Sequence, residues 1–222
     1  MPVRLLVTGF GPFPRMPRNP SASLAVAVAA SPRLRLAGIS AEAVVLTTAY
    51  ATLAAELDPL LAAEPDVMLL IGVAGRAANV RIERRATSRR STLFPDVHGD
   101  MPDRPEARAS DEAARRTSVN VAAAFRNLRG RGLPARHSRD AGRYLCNAAY
   151  FRALGRRNGA GCPALFIHIP KTPSPTRPVA RAAPTGHPAG ARWQAALARA
   201  LVDIALDTAR QARRVAAPAG FR

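Results

Sequence analysis

Lysine is nearly missing from this 222-residue chain. Lys171 is the only one, yet Lys and Arg together number 33 against 15 Asp and Glu, for a formal net charge of +18. The positive charge is therefore almost all arginine, and with abundant alanine and proline it points to a GC-rich coding background as much as to a selected property. A basic surface attracts polyanions by counterion release. Aromatic residues, however, make up only 5% of the chain and are not interleaved with the arginines, so the stacking platforms of single-strand binders are lacking. Nucleic acid is not the expected partner. Two cysteines cannot build a disulfide framework and fit a reducing cytoplasm. No apolar run reaches the ~18 residues of a spanning helix, and Met1–Gly9 lacks the apolar core and cleavage site of a signal peptide. Cys-x-x-Cys, His-Glu-x-x-His and acidic clusters are all absent, so no metal or cofactor is expected.

Nearly half of the residues are apolar, and a chain of this length buries one sizeable core, so one domain over residues 1–222 is the default. Val3–Thr8 reads as a strand running into the Gly9–Pro14 loop, whose glycines and prolines forbid regular structure. Ser21 precedes a helix over Ala22–Ala30, Glu42–Thr47 reads as a strand, and Ala51–Ala63 carries leucines at helical spacing. Val67–Ile71 is continuously apolar, as in a strand buried on both faces, and ends in the Gly72–Gly75 turn. Val80–Arg84 alternates apolar with charged residues, Ser88–Ser110 reads as a long loop, and Ala113–Arg129 reads as an amphipathic helix. Ala164–Pro170 is a further buried strand, and Ala191–Arg214 closes the chain as a long helix. Alternating strands and helices predict an α/β fold: a three-layer α/β/α sandwich around a mixed, mostly parallel sheet, with the site at the strand ends.

Cys146 follows a glycine-containing turn and opens a helical segment ending at Leu154. A thiol in the first turn of a helix lies near the positive dipole end and unpaired N–H groups, and both favour the thiolate. A nucleophilic thiolate needs an imidazole to take its proton and later protonate a leaving amine. Of the four histidines, His98 falls in the irregular loop, His187 in a Pro/Gly-rich segment and His137 just ahead of the cysteine stretch, whereas His168 lies near the end of a buried strand, where α/β folds place functional groups. A catalytic imidazole wants an acceptor that fixes its tautomer, and Glu83 is one of few acids near the Gly72–Gly75 turn. A surface ion pair with Arg81, Arg84 or Arg85 is the competing reading of Glu83. From residue types alone, a Cys/His/acid hydrolase is one possibility, and a buried inert thiol another.

Four segments in order resemble the pyroglutamyl-peptidase I (pyrrolidone-carboxylate peptidase) family. They are Leu6-Val7-Thr8-Gly9-Phe10-Gly11-Pro12-Phe13 with Asn19-Pro20-Ser21, then Gly72-x-Ala74-Gly75 with Glu83-Arg84, then Ala141-Gly142-x-Tyr144-x-Cys146-Asn147, and last Phe166–Pro170. The resemblance implies a cytoplasmic thiol exopeptidase that needs no metal, forms homodimers or homotetramers, and removes an N-terminal pyroglutamate from peptides. By position it makes Cys146 the nucleophile, His168 the general acid/base and Glu83 the residue orienting the imidazole. It also puts Phe10 and Phe13 at aromatic walls of the pyrrolidone pocket, and Thr47, Tyr144 and Leu145 at other lining positions.

The chain departs from the family pattern at Val73, at Arg76-Ala77 and at Lys171. The arginine that the family places near the developing oxyanion falls here at Leu93, with Arg89 and Arg90 as the candidate substitutes. Losing one such donor costs roughly 3 kcal/mol of transition-state stabilisation. Two alternatives stand beside the main reading: a thiol hydrolase of the same fold acting on another small acyl or amide group, and a catalytically silent basic binding protein.

Overall fold

The computed structural model describes residues 2–14, 16–89, 93–102, 114–155, 162–171 and 189–216. Its strands are β1 (Val3–Phe10), β2 (Ile39–Leu46), β3 (Val67–Ala74), β4 (Val80–Glu83), β5 (Arg85–Thr87), β6 (Ala114–Arg116), β7 (Ala135–Ser138) and β8 (Ala164–Pro170). Its helices are α1 (Pro20–Ala29), α2 (Pro32–Leu36), α3 (Tyr50–Ala62), α4 (Val121–Gly130), α5 (Leu145–Leu154) and α6 (Ala189–Ala216).

Six strands form one sheet in the order β2-β1-β3-β8-β4-β7, and β5 pairs with β6 in a separate ribbon. Parallel pairing joins β2 to β1, β1 to β3 and β3 to β8. The direction reverses once, where β4 lies antiparallel to β8, and β7 follows β4 in parallel. The apolar runs explain the order. β3 and β8, the most continuously hydrophobic segments, take the centre and are buried along nearly all their length, as strands covered on both faces must be. The edge strands β2 and β7 alternate or stay exposed.

Side chains along β8 divide by period two. Leu165, Ile167 and Ile169 enter the core shared with α1, α2, α4 and α6, whereas Ala164 and Phe166 enter the core shared with α3 and α5. The result is the expected three-layer α/β/α sandwich around a mixed, mostly parallel sheet. Each fully buried aliphatic or aromatic side chain in these two layers contributes about 1.5–3 kcal/mol by leaving water.

One predicted element is different. The segment expected as a helix over Ala113–Arg129 is strand β6 followed by the shorter helix α4, and Ala113 lies outside the described residues. Thr117 and Asn120 supply the reason. Val119 N donates to Thr117 Oγ1 at 3.0 Å, and Ala123 N donates to Asn120 Oδ1 at 3.1 Å, so the chain turns at Thr117 and the helix starts behind an Asn cap. The short elements α2, β5, β6 and β7 carry too few residues to show a period in sequence. Of the Ser88–Ser110 loop, Arg90, Ser91, Thr92 and residues 103–110 lie outside the described residues.

At the other end of β1, Gly9 is a packing requirement. A Cβ there would stand 2.4 Å from the carbonyl oxygen of Ser21, so only glycine lets the start of α1 close over the strand end. Ser21 Oγ in turn accepts from Phe10 N at 3.0 Å, and Asn19 Nδ2 donates to Gly11 O at 2.9 Å, which fixes the loop after β1.

Candidate active site

The antiparallel switch between β8 and β4 brings three expected residues together. In register, His168 of β8 lies between Gly72 of β3 and Arg81 of β4, and Glu83 lies opposite Phe166. Because Val80 and Ile82 point into the layer with α6, alternation turns Glu83 to the face that carries Phe166 and α5. Glu83 Oε1 stands 2.9 Å from His168 Nδ1, with Glu83 fully buried. The competing reading of Glu83 as a surface ion pair is excluded by that burial. The phenol of Tyr150 donates to the Glu83 carbonyl at 3.0 Å, which anchors the backbone that carries the carboxylate.

Cys146 sits in the first turn of α5, directly after the N-cap residue Tyr144 and Leu145. Asn147 N and Ala148 N both donate to Tyr144 O. Tyr144 makes no capping bond with its side chain, so the first-turn N–H groups at Leu145 and Cys146 stay available, as helix starts require. The Cys146 sulfur lies close enough to the His168 ring to raise its proton affinity. Nδ1 is taken by Glu83, which assigns the thiol to Nε2.

Burial alone pushes the His168 pKa down, but hydrogen bonds to Cys146 and Glu83 and their negative charges outweigh it and raise it to about 9. The imidazolium is thus the favoured form at neutral pH, held between the Glu83 carboxylate and the Cys146 sulfur.

Gly72 makes room for this arrangement. A Cβ at Gly72 would lie 2.9 Å from Cys146 Sγ and 2.7 Å from Phe166 Cζ. Phe166 also packs its ring 4.6 Å from that of His168 and 5.6 Å from that of Tyr150. The close approach of backbone to sulfur is a role that a glycine in a strand-end turn does not announce in sequence.

The remaining expected residues divide by exposure. Phe10 is 2% exposed, with its ring 6.4 Å from that of Phe166, and Leu145 is fully buried, so both support the site from beneath. Phe13, Thr47 and Tyr144 are partly exposed. Leu93 is 78% exposed. The backbone of Arg89 is held beside the start of α5 instead, since its carbonyl accepts from Asn147 Nδ2 at 3.1 Å. Arg90 lies outside the described residues, as does His187. His137 stacks on Phe125 at 5.1 Å, and the His98 backbone serves Asp96, so neither joins the cluster.

Two positioning groups were missed by the sequence reading. Asn147 accepts from Thr87 N at 3.0 Å and donates to Thr87 O at 2.7 Å, and so ties β5 to the start of α5. Its only sequence signal is its place next to Cys146. Asp96 is fully buried and accepts from Tyr50 N, His98 N and Asp100 N at 2.8, 2.8 and 3.0 Å. Burial opposes ionisation, but these backbone donors and the neighbouring His98 hold its pKa below the ordinary value. The Asp96 loop is thereby fastened to the start of α3, and Tyr144 OH closes it by donating to Pro95 O at 3.0 Å. Burial and the nearby Asp96 and Cys146 charges raise the Tyr144 pKa to about 12, which keeps that donor protonated.

A cavity of about 420 Å³ lies at the opposite end of the sheet, lined by Pro2, Gly38, Ile39 and neighbours. It has no part in this chemistry.

The profile of the pyroglutamyl peptidase family matches residues 3–209. The chain is 34% identical over 170 residues to a pyrrolidone-carboxylate peptidase of Chromobacterium violaceum, covering 76% of this chain and 78% of the relative. It is 33% identical over 171 residues to one of Thermococcus kodakarensis, covering 76% and 81%. The crystal structure of pyrrolidone carboxyl peptidase from Thermus thermophilus superposes with a TM-score of 0.70 at 27% identity, over 90% of this chain and 99% of the other.

Two outcomes follow from the geometry. Gly72→Ala forces Cys146 or Phe166 to move, and turnover by the thiol should fall about a hundredfold; unchanged turnover would show that the sulfur does not rest against Gly72. The folded-state pKa of His168 lies above its ordinary 6.5. Its stabilising contribution is therefore complete below about 6.5 and lost as pH rises through about 9. Urea midpoints should fall across that range, and Cys146→Ala and Glu83→Gln should each flatten the fall. A flat wild-type profile contradicts the shift.

Proposed function

Since the chain belongs to the pyroglutamyl peptidase family, we propose that its thiol site hydrolyses the bond after an N-terminal pyroglutamate of peptides. The observation that carries the reading is the chain of contacts from Glu83 Oε1 through His168 to Cys146 at the start of α5. As a peptidase of this family the protein is a cysteine hydrolase; the residue roles below are our assignment.

Cys146, as the thiolate whose proton already sits on His168, attacks the acyl carbon of the pyroglutamyl residue, and the carbonyl oxygen takes up negative charge. First-turn N–H groups of α5 are placed to donate to that oxygen, where the helix dipole also favours an anion. His168, held as an imidazolium by Glu83, passes a proton to the leaving nitrogen as the C–N bond breaks. The amine product departs and a thioester to Cys146 remains. Water then attacks the thioester, giving its proton to His168, and the thiolate leaves with free 5-oxoproline as product.

Glu83 acts through the imidazole. Its Oε1 fixes the tautomer and steadies the cation. For the lactam, Phe13, Thr47 and Tyr144 supply the partly exposed walls, and Phe10 and Leu145 support them from the core. A flat lactam with apolar faces and a polar rim suits such a mixed lining. Because Leu93 has no donor to offer, Arg89 takes over the stabilising role of the family arginine. Its support is the Asn147 bond that holds its backbone next to Cys146.

No helix among the described residues is long and apolar enough to cross a membrane. Neither Cys146 nor Cys162 forms a disulfide, which supports a cytoplasmic setting, and the family resemblance supports a homodimer or homotetramer. No observation favours a drifted substrate or a silent binding protein.

A pyroglutamyl-aminoacyl fluorogenic substrate should be cleaved under reducing conditions, and Cys146→Ser should abolish cleavage; no turnover by folded wild-type protein overturns the reading. Arg89→Ala should lower kcat about a hundredfold with a smaller change in KM. If kcat were unaffected, the oxyanion would be served by the α5 backbone alone.

A further inference from the structure

Arg84, Arg85, Arg116 and Arg139 together line a pocket of about 280 Å³. Strand pairing explains how four cations meet. Arg85 of β5 stands directly opposite Arg116 of β6. Arg84 N donates to Ser138 O at 2.8 Å, which draws the end of β4 to the turn that carries Arg139. Arg85 Nε donates to Arg139 O at 2.5 Å. That bond fixes the guanidinium and leaves its terminal NH₂ groups for the pocket.

Among the described residues, none of the four pairs with a carboxylate. Asp140, next to Arg139 in the chain, accepts from Gly142 N through its Oδ1 at 2.9 Å. Like charges directly opposite on neighbouring strands destabilise the pairing, and four guanidinium groups around one space concentrate that repulsion. A multivalent oxyanion would remove it and accept forked N–H donors in the geometry arginine offers. The pocket is lined by arginine alone, without an aromatic ring, so it reads charge and oxygen geometry and has no means to stack a base.

We propose that this pocket binds a small phosphate-class polyanion, at a site separate from the thiol. Glu83 turns its carboxylate to His168, and the arginines begin with the next residue, so the two sites share a chain segment without sharing groups. An anion in the pocket ties the segment after Glu83 to the turn that leads into Cys146.

Pyrophosphate titrated into the full chain at constant ionic strength, by calorimetry and by thermal unfolding, tests this directly. Saturable one-to-one binding is expected, with a rise in the unfolding midpoint of about 3 °C at ten times the dissociation constant. Both should be lost in Arg85→Ala/Arg116→Ala and kept in the charge-matched Arg126→Ala/Arg129→Ala, whose arginines are exposed on α4. Should the first double variant fail to fold, Arg139→Gln on its exposed turn must weaken binding at least tenfold. Equal binding in both double variants would reveal general attraction by a chain of net charge +18 and overturn the proposal. Absence of binding to the wild type would also overturn it.

Discussion

The contact between Glu83 Oε1 and His168 Nδ1, 2.9 Å long, is the constraint on which the site depends. It exists because the sheet changes direction once, between β8 and β4. With β4 antiparallel to β8, the last residue of β4 stands over the face where His168 points. Burial makes the contact consequential. In a dry environment an imidazolium is costly unless both of its nitrogens meet acceptors. The ring finds Glu83 on one side and Cys146 on the other, and its proton affinity rises despite the desolvation.

Everything around the pair keeps those three groups in register. Gly72 removes the side chain that would collide with the sulfur. Tyr150 holds the Glu83 backbone, and Asn147 ties the start of α5 to β5. The Asp96 loop is buttoned to α3 and to Tyr144, so the open face of the site is built on backbone hydrogen bonds rather than on mobile side chains. Such preorganisation lets donors serve a developing charge without reorganising during the reaction.

Much of this was legible in the sequence. Continuous apolar runs marked β3 and β8 as central strands, and a lone histidine at the end of one of them stood out among four. The cysteine at a helix start and the matched segment around Glu83 named the two side chains that the structure brings to that histidine. What stayed hidden has physical causes. A glycine shows conformational freedom in sequence but not the 2.9 Å approach that demands it. Short strands such as β5 and β6 have no period to read, so Ala113–Arg129 looked helical throughout. Asp96 resembled any acid in a loop because the partner that ties it to the site, the Tyr50 amide, lies 46 residues away in the chain. The cross-strand meeting of Arg85 and Arg116 likewise needs the pairing register, which 30 residues of intervening chain conceal.

The measurement that bears most directly on the central claim is an NMR titration of the His168 ring nitrogens in the resting protein. The account predicts an imidazolium that persists through neutral pH and titrates near 9, with the transition moved down in Glu83→Gln. A ring that titrates near its ordinary 6.5 in the wild type, and does not respond to Glu83→Gln, would contradict it.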